Sequence, residues 1–298
     1  MRRISSTVGA VCDRAVTDRA YSIGNRFLMV CLAFVLAGAT ALGVSVQVRY
    51  ATGQNVAPVF EGWEPNPDGT YSVVFGYLNR NYEEEVDIPV GPNNTIDPGN
   101  DRGQPTHFYP RRQRFVFKVV VPKDWDKERR VVWTLTSRGR TDQAKGWLQP
   151  EWELNDEVIA ENSGGGVLAP NNEPPSITVS PSQTVTLPNT ATLTASATDD
   201  GLPKRSTRPG SSNSTSDPNL ATNAAAVRRQ AGVQIKWILY RGPAKVRFEP
   251  ESSGPEVYGQ PATVTSKVSF SAPGTYLLRA IATDGQLSST NDVTVIVK

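Results

Sequence analysis

The sequence predicts an all-β protein with two β-sandwich domains in tandem, after an N-terminal hydrophobic segment. Three observations support this fold class. Alternating apolar and polar residues recur after residue 50, as at Val233, Ile235, Trp237 and Leu239, which share one face of a strand. The 298 residues include 24 glycines and 23 prolines, which favour turns between short strands. Beyond residue 50 the sequence shows no amphipathic helical pattern sustained over several turns.

The N-terminal segment is typical of an export signal. Five arginines against two aspartates precede an uncharged run over residues 27–48, in which Ala39-Thr40-Ala41 offers a small-residue cleavage site. The run is also long enough, at roughly 20 residues, to span a bilayer. Residues 1–48 are therefore either a cleaved signal peptide or an uncleaved anchor held by residues 27–48. In both cases we expect an exported body (periplasmic, cell-surface or secreted) that contacts the membrane only through this segment.

Composition excludes several classes of function. Both cysteines, Cys12 and Cys31, lie within residues 1–48, so the body has no thiol for disulfides, thiolate metal sites or thiol catalysis. Outside that segment remain 26 of the 31 basic and 27 of the 29 acidic residues, a net charge near −1. Because nucleic-acid binding needs a basic face, this balance argues against nucleic acid as a partner.

The first domain is predicted over residues 58–160. A proline-dense stretch over residues 79–106 is predicted to be a long loop, and residues 147–154 are predicted to form the closing strand. We expect an immunoglobulin- or fibronectin-type sandwich of about 100 residues. This segment resembles only uncharacterised exported bacterial proteins, which implies no activity. Three strand faces should form its core: Tyr71, Val73, Phe75 and Tyr77; Phe115, Phe117, Val119 and Val121; and Val131, Trp133 and Leu135.

The second domain is predicted over residues 174–298, after a glycine- and asparagine-rich linker at residues 161–173. Residues 203–230 include a long polar run with nothing to bury, so we expect a disordered insertion there. Three further faces should line the core: Ala191, Leu193, Ala195 and Ala197; Tyr276, Leu278, Ala280 and Ala282; and Val293, Val295 and Val297.

Several short motifs in this second domain carry a family resemblance. They are Trp237 followed by Gly242-Pro243-Ala244, Phe270 with Pro273-Gly274-Thr275-Tyr276, and Thr283-Asp284-Gly285. Over roughly residues 174–298 the chain thereby resembles PKD-like and REJ-like immunoglobulin-fold modules of cell-surface proteins. The resemblance implies an immunoglobulin-like sandwich. It implies no particular ligand, since such sandwiches host many functions.

The best candidate for a binding site is a basic and aromatic cluster between residues 107 and 114. Arginine side chains grip carboxylate, sulfate or phosphate groups and stack on aromatic rings. The cluster therefore predicts a site for an acidic glycan or an acidic protein segment. Its members are His107, Tyr109, Arg111, Arg112 and Arg114. In the alternative interpretation these arginines pair internally with Glu83, Glu84, Glu85 and Asp87, while Phe108 and Tyr109 pack beneath the loop.

Two tryptophans of the first domain, Trp63 and Trp125, are predicted to lie on turns, which makes them better candidates for exposure than Trp133. Flat aromatic faces of this kind stack on sugar rings, although large aromatic residues also dominate the cores of small sandwiches. Trp133 is predicted to be such a core residue.

Three aspartates, Asp199, Asp200 and Asp284, flank glycines at predicted strand ends. Carboxylates on such loops bind Ca²⁺ in some sandwich modules. Turn formation explains them without a metal, so we expect no cofactor, with Ca²⁺ as the alternative.

Catalysis has little support, since His107 is the only histidine and no phosphate loop, dinucleotide motif or nucleophile elbow is present. We expect a non-enzymatic protein of the cell surface or envelope. Its partner would be an envelope or surface protein, or a polysaccharide. The first alternative is a carbohydrate-binding module that uses Trp63, Trp125 and the cluster at residues 107–114. The second is a small hydrolase with paired carboxylates.

Overall fold

A computed structural model describes residues 49–204, 232–253 and 259–298. The predicted signal or anchor at residues 1–48 lies outside the described residues, as does nearly all of the insertion predicted at residues 203–230. Within the described residues, no helix is long and apolar enough to cross a membrane. Residues 49–298 form one unit, built from two β-sandwiches.

The first sandwich is built from the strands of residues 56–146. These are Val56–Pro65 (β1), Tyr71–Asn79 (β2), Val86–Asp87 (β3), Asn94–Asp97 (β4), His107–Phe108 (β5), Arg111–Val121 (β6), Val131–Ser137 (β7) and Arg140–Gly146 (β8). One sheet has the order β1-β2-β6 and the other β4-β7-β8, and β3 pairs with β5. The predicted loop at residues 79–106 therefore contains two of the short strands.

The core of the first sandwich is centred on Trp133, which is fully buried as predicted. Its ring packs edge-on against Phe75 and Phe117, at centroid distances of 6.0 and 4.9 Å. Its Nε1–H donates to Asn94 Oδ1 at 3.0 Å, so the buried indole is satisfied. The three predicted faces are confirmed as core except at Tyr71 and Phe115, which are only half-buried.

The prediction of a closing strand at residues 147–154 is wrong. The sheet closes instead with the more polar β8, which pairs with β7 along its whole length. A 3-10 helix, Pro150–Trp152, follows, because proline begins a helical turn readily but donates no hydrogen bond to a sheet. Next comes a two-turn helix, Asp156–Ser163 (α1), which the Asn155 side chain caps and a left-handed Gly164 ends. Two turns are too short for a sustained helical pattern in the sequence.

The second sandwich is immunoglobulin-like in strand order. Its strands are Ser176–Val179 (β9), Gln183–Val185 (β10), Ala191–Thr198 (β11), Gln234–Arg241 (β12), Val246–Glu249 (β13), Ala262–Phe270 (β14), Gly274–Thr283 (β15) and Ser288–Val297 (β16). The sheets run β13-β14-β11-β9 and β10-β16-β15-β12, with β10 parallel to β16. All three predicted faces and Trp237 are confirmed as core. Tyr276 donates its hydroxyl proton to the carbonyl of Ala272 at 2.7 Å, the tyrosine corner of this fold.

The predicted linker at residues 161–173 is docked against the second sandwich. Its first residues belong to α1. Further along, the Ala169 N–H donates to Gln286 Oε1 at 2.9 Å, and Asn172 Nδ2 donates to Asp284 Oδ2 at 3.0 Å. These contacts give the segment a fixed path despite its glycines.

Candidate functional site

The segment predicted to bind a ligand lies where the two sandwiches meet. His107 lies in β5, and Arg111 begins β6. Tyr109, between these strands, bridges the sandwiches: its hydroxyl oxygen accepts from the N–H of Leu239 at 2.9 Å, and its N–H donates to the Tyr77 hydroxyl at 2.9 Å. Burial raises the pKa of Tyr109 well above its usual range, so this hydroxyl stays neutral.

His107 is buried, with only 4% of its surface exposed, and is held by two carboxylates. Its Nδ1 lies 2.6 Å from Asp87 Oδ1, and its Nε2 lies 3.5 Å from Glu85 Oε2. Burial opposes the charged ring, but hydrogen bonds to Asp87 and Glu85 outweigh it and raise the pKa of His107 to about 8. The ring is therefore a buried cation near neutral pH and has little surface left for a ligand.

Two of the arginines converge on one buried glutamate. Arg112 Nη2 lies 2.6 Å from Oε1 of Glu61, and Arg114 Nη1 lies 3.7 Å from its Oε2. Burial raises the pKa of Glu61, and Arg112 opposes that shift. The group fits because the facing residue is Gly76, where an added Cβ would overlap Glu61 Oε1 and the carbonyl oxygen of Gln113. One carboxylate thus serves two guanidinium groups, and Arg114 has the longer contact.

The structural alternative for this cluster is confirmed in part. Phe108 is fully buried, and Glu85 and Asp87 pair internally, but their partner is His107. The acid that binds Arg112 is Glu61, which sequence reasoning missed. Glu61 stands between Phe60 and Gly62-Trp63 in β1, and a charge with such neighbours was the signal that could have revealed it. Arg111 lies over a neighbouring ring, with its guanidinium carbon 3.9 Å from the centroid of Tyr82.

Trp63 and Trp125 are buried, so core packing describes them and the exposure for which they were candidates is not found. Trp63 lies within β1 and donates its Nε1–H to the Gln149 carbonyl at 2.7 Å. Trp125 does lie in a turn, but it packs into the core cluster, and the guanidinium carbon of Arg129 sits 4.2 Å from its ring centroid. Neither indole presents a free face, because both rings are packed in the core of the first sandwich. Their role in sugar binding stays a prediction.

The three aspartates form turns, as expected. Asp199 accepts from the N–H of Gly201 at 3.0 Å, and Asp284 accepts from the N–H of Gln286 at 2.6 Å. Burial raises the pKa of Asp199 to about 6, helped by the nearby charges of Asp284 and Asp200. No group of three or more His, Cys, Asp or Glu side chains in the described part of the chain is placed to hold a metal ion.

Arg279 of β15 ties the second sandwich to the first. It forms a two-pronged ion pair with Asp292, with distances of 2.7 and 2.9 Å. Its Nη1 donates to the Val116 carbonyl of β6 at 2.8 Å, and its guanidinium carbon lies 3.6 Å from the ring centroid of Tyr240. Burial lowers the pKa of Arg279, but the hydrogen bonds that Arg279 donates to Asp292, among other contacts, outweigh burial and raise this pKa, so the charge is permanent.

A second set of contacts crosses the junction through the end of β12. Arg241 binds Asp101 with distances of 2.7 and 3.0 Å, and its Nε–H donates to the Gln104 carbonyl at 2.7 Å. The neighbouring Tyr240 is the extra residue of a bulge in β12, and it packs into the core of the first sandwich. The two sandwiches therefore share apolar packing as well as hydrogen bonds.

A groove of about 380 Å³ opens beside this junction, and we call it the inter-sandwich groove. One wall is residues 113–116 of β6, and the other is the outer face of β12, β15 and β16, with the end of α1 at the rim. Of the predicted site residues, only Tyr109 and Arg114 line it. Its volume lies within the range of natural ligand pockets, roughly 300–1,000 Å³.

The sequence contains a signal for one wall of the groove. The outer face of β15 carries Leu277, Arg279 and Ile281, a mixture too apolar for a solvated face. Leu277 packs against the core of the first sandwich, whereas Arg279 and Ile281 line the groove. An outward face with this mixture indicates a covering partner, which here is the other sandwich.

Comparison with known proteins does not assign the chain to a family. No protein-family model matches the chain, and no curated protein does. Similar solved structures include the N-terminal eight immunoglobulin domains of Down Syndrome Cell Adhesion Molecule, with 10% identity and a TM-score of 0.23. The match covers 82% of this chain, which spans only 27% of the length of that structure. The D00-D0 domain of intimin shows 14% identity and a TM-score of 0.24, with 82% and 100% coverage. Domains 4 and 5 of the S-layer protein SbsC show 12% identity and a TM-score of 0.22, with 82% and 98% coverage. At these scores the likenesses carry no functional argument.

Proposed function

We propose that this protein is an exported, non-enzymatic interaction protein of the cell surface or envelope, and that the inter-sandwich groove is its binding site. The observation that carries the proposal is that both sandwiches build the groove and are locked together beside it, by Tyr109 and Arg279. A site fixed in this way needs little ordering when a ligand binds, which favours affinity.

Export is supported by the sequence of residues 1–48, which has the charge pattern and uncharged run of a signal or anchor. A body without cysteine that nevertheless has two well-filled cores can persist outside the cytoplasm without disulfides.

A non-enzymatic role is supported by how the single histidine is used. His107 is buried between Asp87 and Glu85 and is not among the residues that line the groove, so its proton stabilises the fold. Binding needs only the shape and charge of the groove.

The test compares two threonine variants of the purified full-length chain in capture experiments with envelope extract and with polysaccharides. Thr290 is exposed and lines the groove, whereas Thr192 is exposed on the outer face of the other sheet. Thr290→Trp should fill the groove and abolish capture, and Thr192→Trp should capture as the wild type does. Capture that is equal for both variants, or absent for the wild type, would refute the groove as the binding site.

A further inference from the structure

We infer that the inter-sandwich groove binds an acidic, partly apolar peptide segment of another protein, an inference that rests on the proposed function. The charges around the groove are separated. Its lining includes three basic residues, Arg114, Lys236 and Arg279, and no acidic residue among those the structure describes. The carboxylates that pair with these cations lie behind the lining or outside it, so a ligand meets positive charge first.

Of the three cations, Arg279 is the least available to a ligand, because it is the least exposed and three of its five N–H donors already bind Asp292 and Val116. Arg114 differs, since its Nη1 contact with Glu61 is long, 3.7 Å, and Glu61 binds Arg112 more closely. Its Nε–H is buried and has no hydrogen-bond partner among the described residues. A carboxylate beside Arg114 would give this guanidinium the close anionic partner that Glu61 gives to Arg112.

Lys236 provides a second anchor on the opposite wall. Its Nζ lies 2.9 Å from Glu251, whose side chain is 55% exposed, and an exposed ion pair of this kind exchanges readily for a ligand. Two acidic side chains along one ligand would thus meet Arg114 on β6 and Lys236 on β12.

The remaining lining favours a peptide over a polysaccharide. It includes Phe115, Ile238, Ile281 and Leu287, which suit aliphatic side chains. It includes no tryptophan among the described residues, and none of its other rings, Tyr77, Tyr109 and Phe115, is exposed enough to offer a sugar a flat platform.

The contacts would come from side chains, because the groove exposes the face of β12. Its lining residues Gln234, Lys236 and Ile238 alternate along the strand. The edge of β12 is partly covered, since the Trp237 N–H donates to the Glu251 carbonyl at 2.8 Å. Addition of a ligand strand to this edge is therefore not the mode of binding.

Charge also argues that the segment comes from another protein. Residues 1–48 carry five arginines and two aspartates. Residues 205–231 carry four arginines and one aspartate. Both segments carry a net positive charge, so neither fits the groove as an internal occupant. Residues 254–258 hold a single glutamate, which cannot meet Arg114 and Lys236 at once.

The experiment measures fluorescence polarisation of a labelled octapeptide in which glutamate alternates with leucine, against its glutamine counterpart, on the full-length chain. We expect the acidic peptide to bind at least tenfold more tightly and to weaken as salt is raised. Arg114→Gln should weaken it on the order of ten- to a hundredfold, as loss of a charged hydrogen-bonding partner does. Arg247→Gln, which removes an equal charge from an exposed site on β13, should leave binding unchanged.

Three results would overturn the inference: equal binding of the two peptides, no effect of Arg114→Gln, or displacement of the acidic peptide by polygalacturonate, which would favour an acidic glycan. Lys236→Gln, at a partly exposed site, repeats the test should Arg114→Gln disturb folding. If Thr290→Trp still abolishes capture from envelope extract while the acidic peptide fails to bind, the groove remains the binding site and only the peptide chemistry is wrong.

Discussion

The two sandwiches bury comparable apolar cores but differ in the polar groups that they enclose. The core cluster of the second sandwich, around Trp237, consists of alternating strand residues that face inward without interruption. The first sandwich has a similar cluster around Trp133, and beside it lie the buried charges of Glu61, Arg112 and His107. The first sandwich encloses the pair of Glu61 and Arg112 because the strands around this pair are less regular.

Bulges account for the buried pair of Glu61 and Arg112 in the first sandwich. The β1–β2 ladder shifts at Glu61, and the β2–β6 ladder shifts at Gly76. On β6, Phe115 has a positive φ of 50°, which is uncommon for a bulky residue. A bulge shifts the alternation of side chains by one residue, so a residue that would face solvent turns inward. A charge turned inward needs a partner, and Glu61 and Arg112 supply one another.

The largest effect is expected where the two sandwiches are alike. Trp133→Ala and Trp237→Ala should each destabilise the protein by about 3–5 kcal/mol, because each removes a fully buried ring. Chemical denaturation followed by circular dichroism measures this. A loss below about 1 kcal/mol in either variant would show that its core repacks, and would break the likeness between the two cores.

The next effect should separate the sandwiches. Arg112→Met leaves Glu61 buried beside only the more distant Arg114, and should cost about 3 kcal/mol. Arg247→Met breaks the Arg247–Glu249 pair of the second sandwich, which is exposed, and should cost less than about 0.5 kcal/mol. If chemical denaturation shows that both variants lose the same amount of stability, the distinction between buried and exposed charge is contradicted.

A smaller loss is expected for Gly76→Ala. The new Cβ would overlap the Glu61 carboxylate and the backbone of Gln113, so the bulge must move, at a cost of about 1–3 kcal/mol. Combining Gly76→Ala with Glu61→Ala removes the closest of the three contacts that the new Cβ makes within 3.0 Å, and should recover part of the loss. If the double variant is no better than the sum of the single ones, the glycine is not there to make room for the carboxylate.

The smallest effect is a pH dependence of the first sandwich. The folded-state pKa of His107 is raised to about 8, above the ordinary value of 6.5, by its carboxylate partners, although burial opposes the shift. The stabilisation is therefore complete below pH 6.5 and is lost as the pH rises through about 8, by about 1–2 kcal/mol. The melting temperature should fall between pH 6 and pH 9 more in the wild type than in His107→Gln. Parallel curves would assign the pH dependence to other groups.

Much of the second sandwich was predictable, since its inward faces follow an unbroken period of two that needs only local information. The first sandwich was predictable at Trp133 and its neighbours but not at residues 147–154, where Pro150 overrode the apolar pattern. Of the residues that line the groove, the sequence predicted Tyr109 and Arg114 as site residues, but it did not predict that Glu61 pairs with Arg112 and Arg114. That pairing depends on a bulge and on a strand more than 40 residues away in sequence, neither of which leaves a periodic signal.

The side chain of Tyr240 has a consequence for how this protein can be divided. It is supplied by β12 and completes the core of the first sandwich, and its hydroxyl donates to the Gly103 carbonyl at 2.5 Å. A fragment that ends near residue 160 would lack a piece of its own interior. The two sandwiches therefore form one structural unit. A recombination event that separated them would leave a cavity in the first sandwich at the position of the Tyr240 ring.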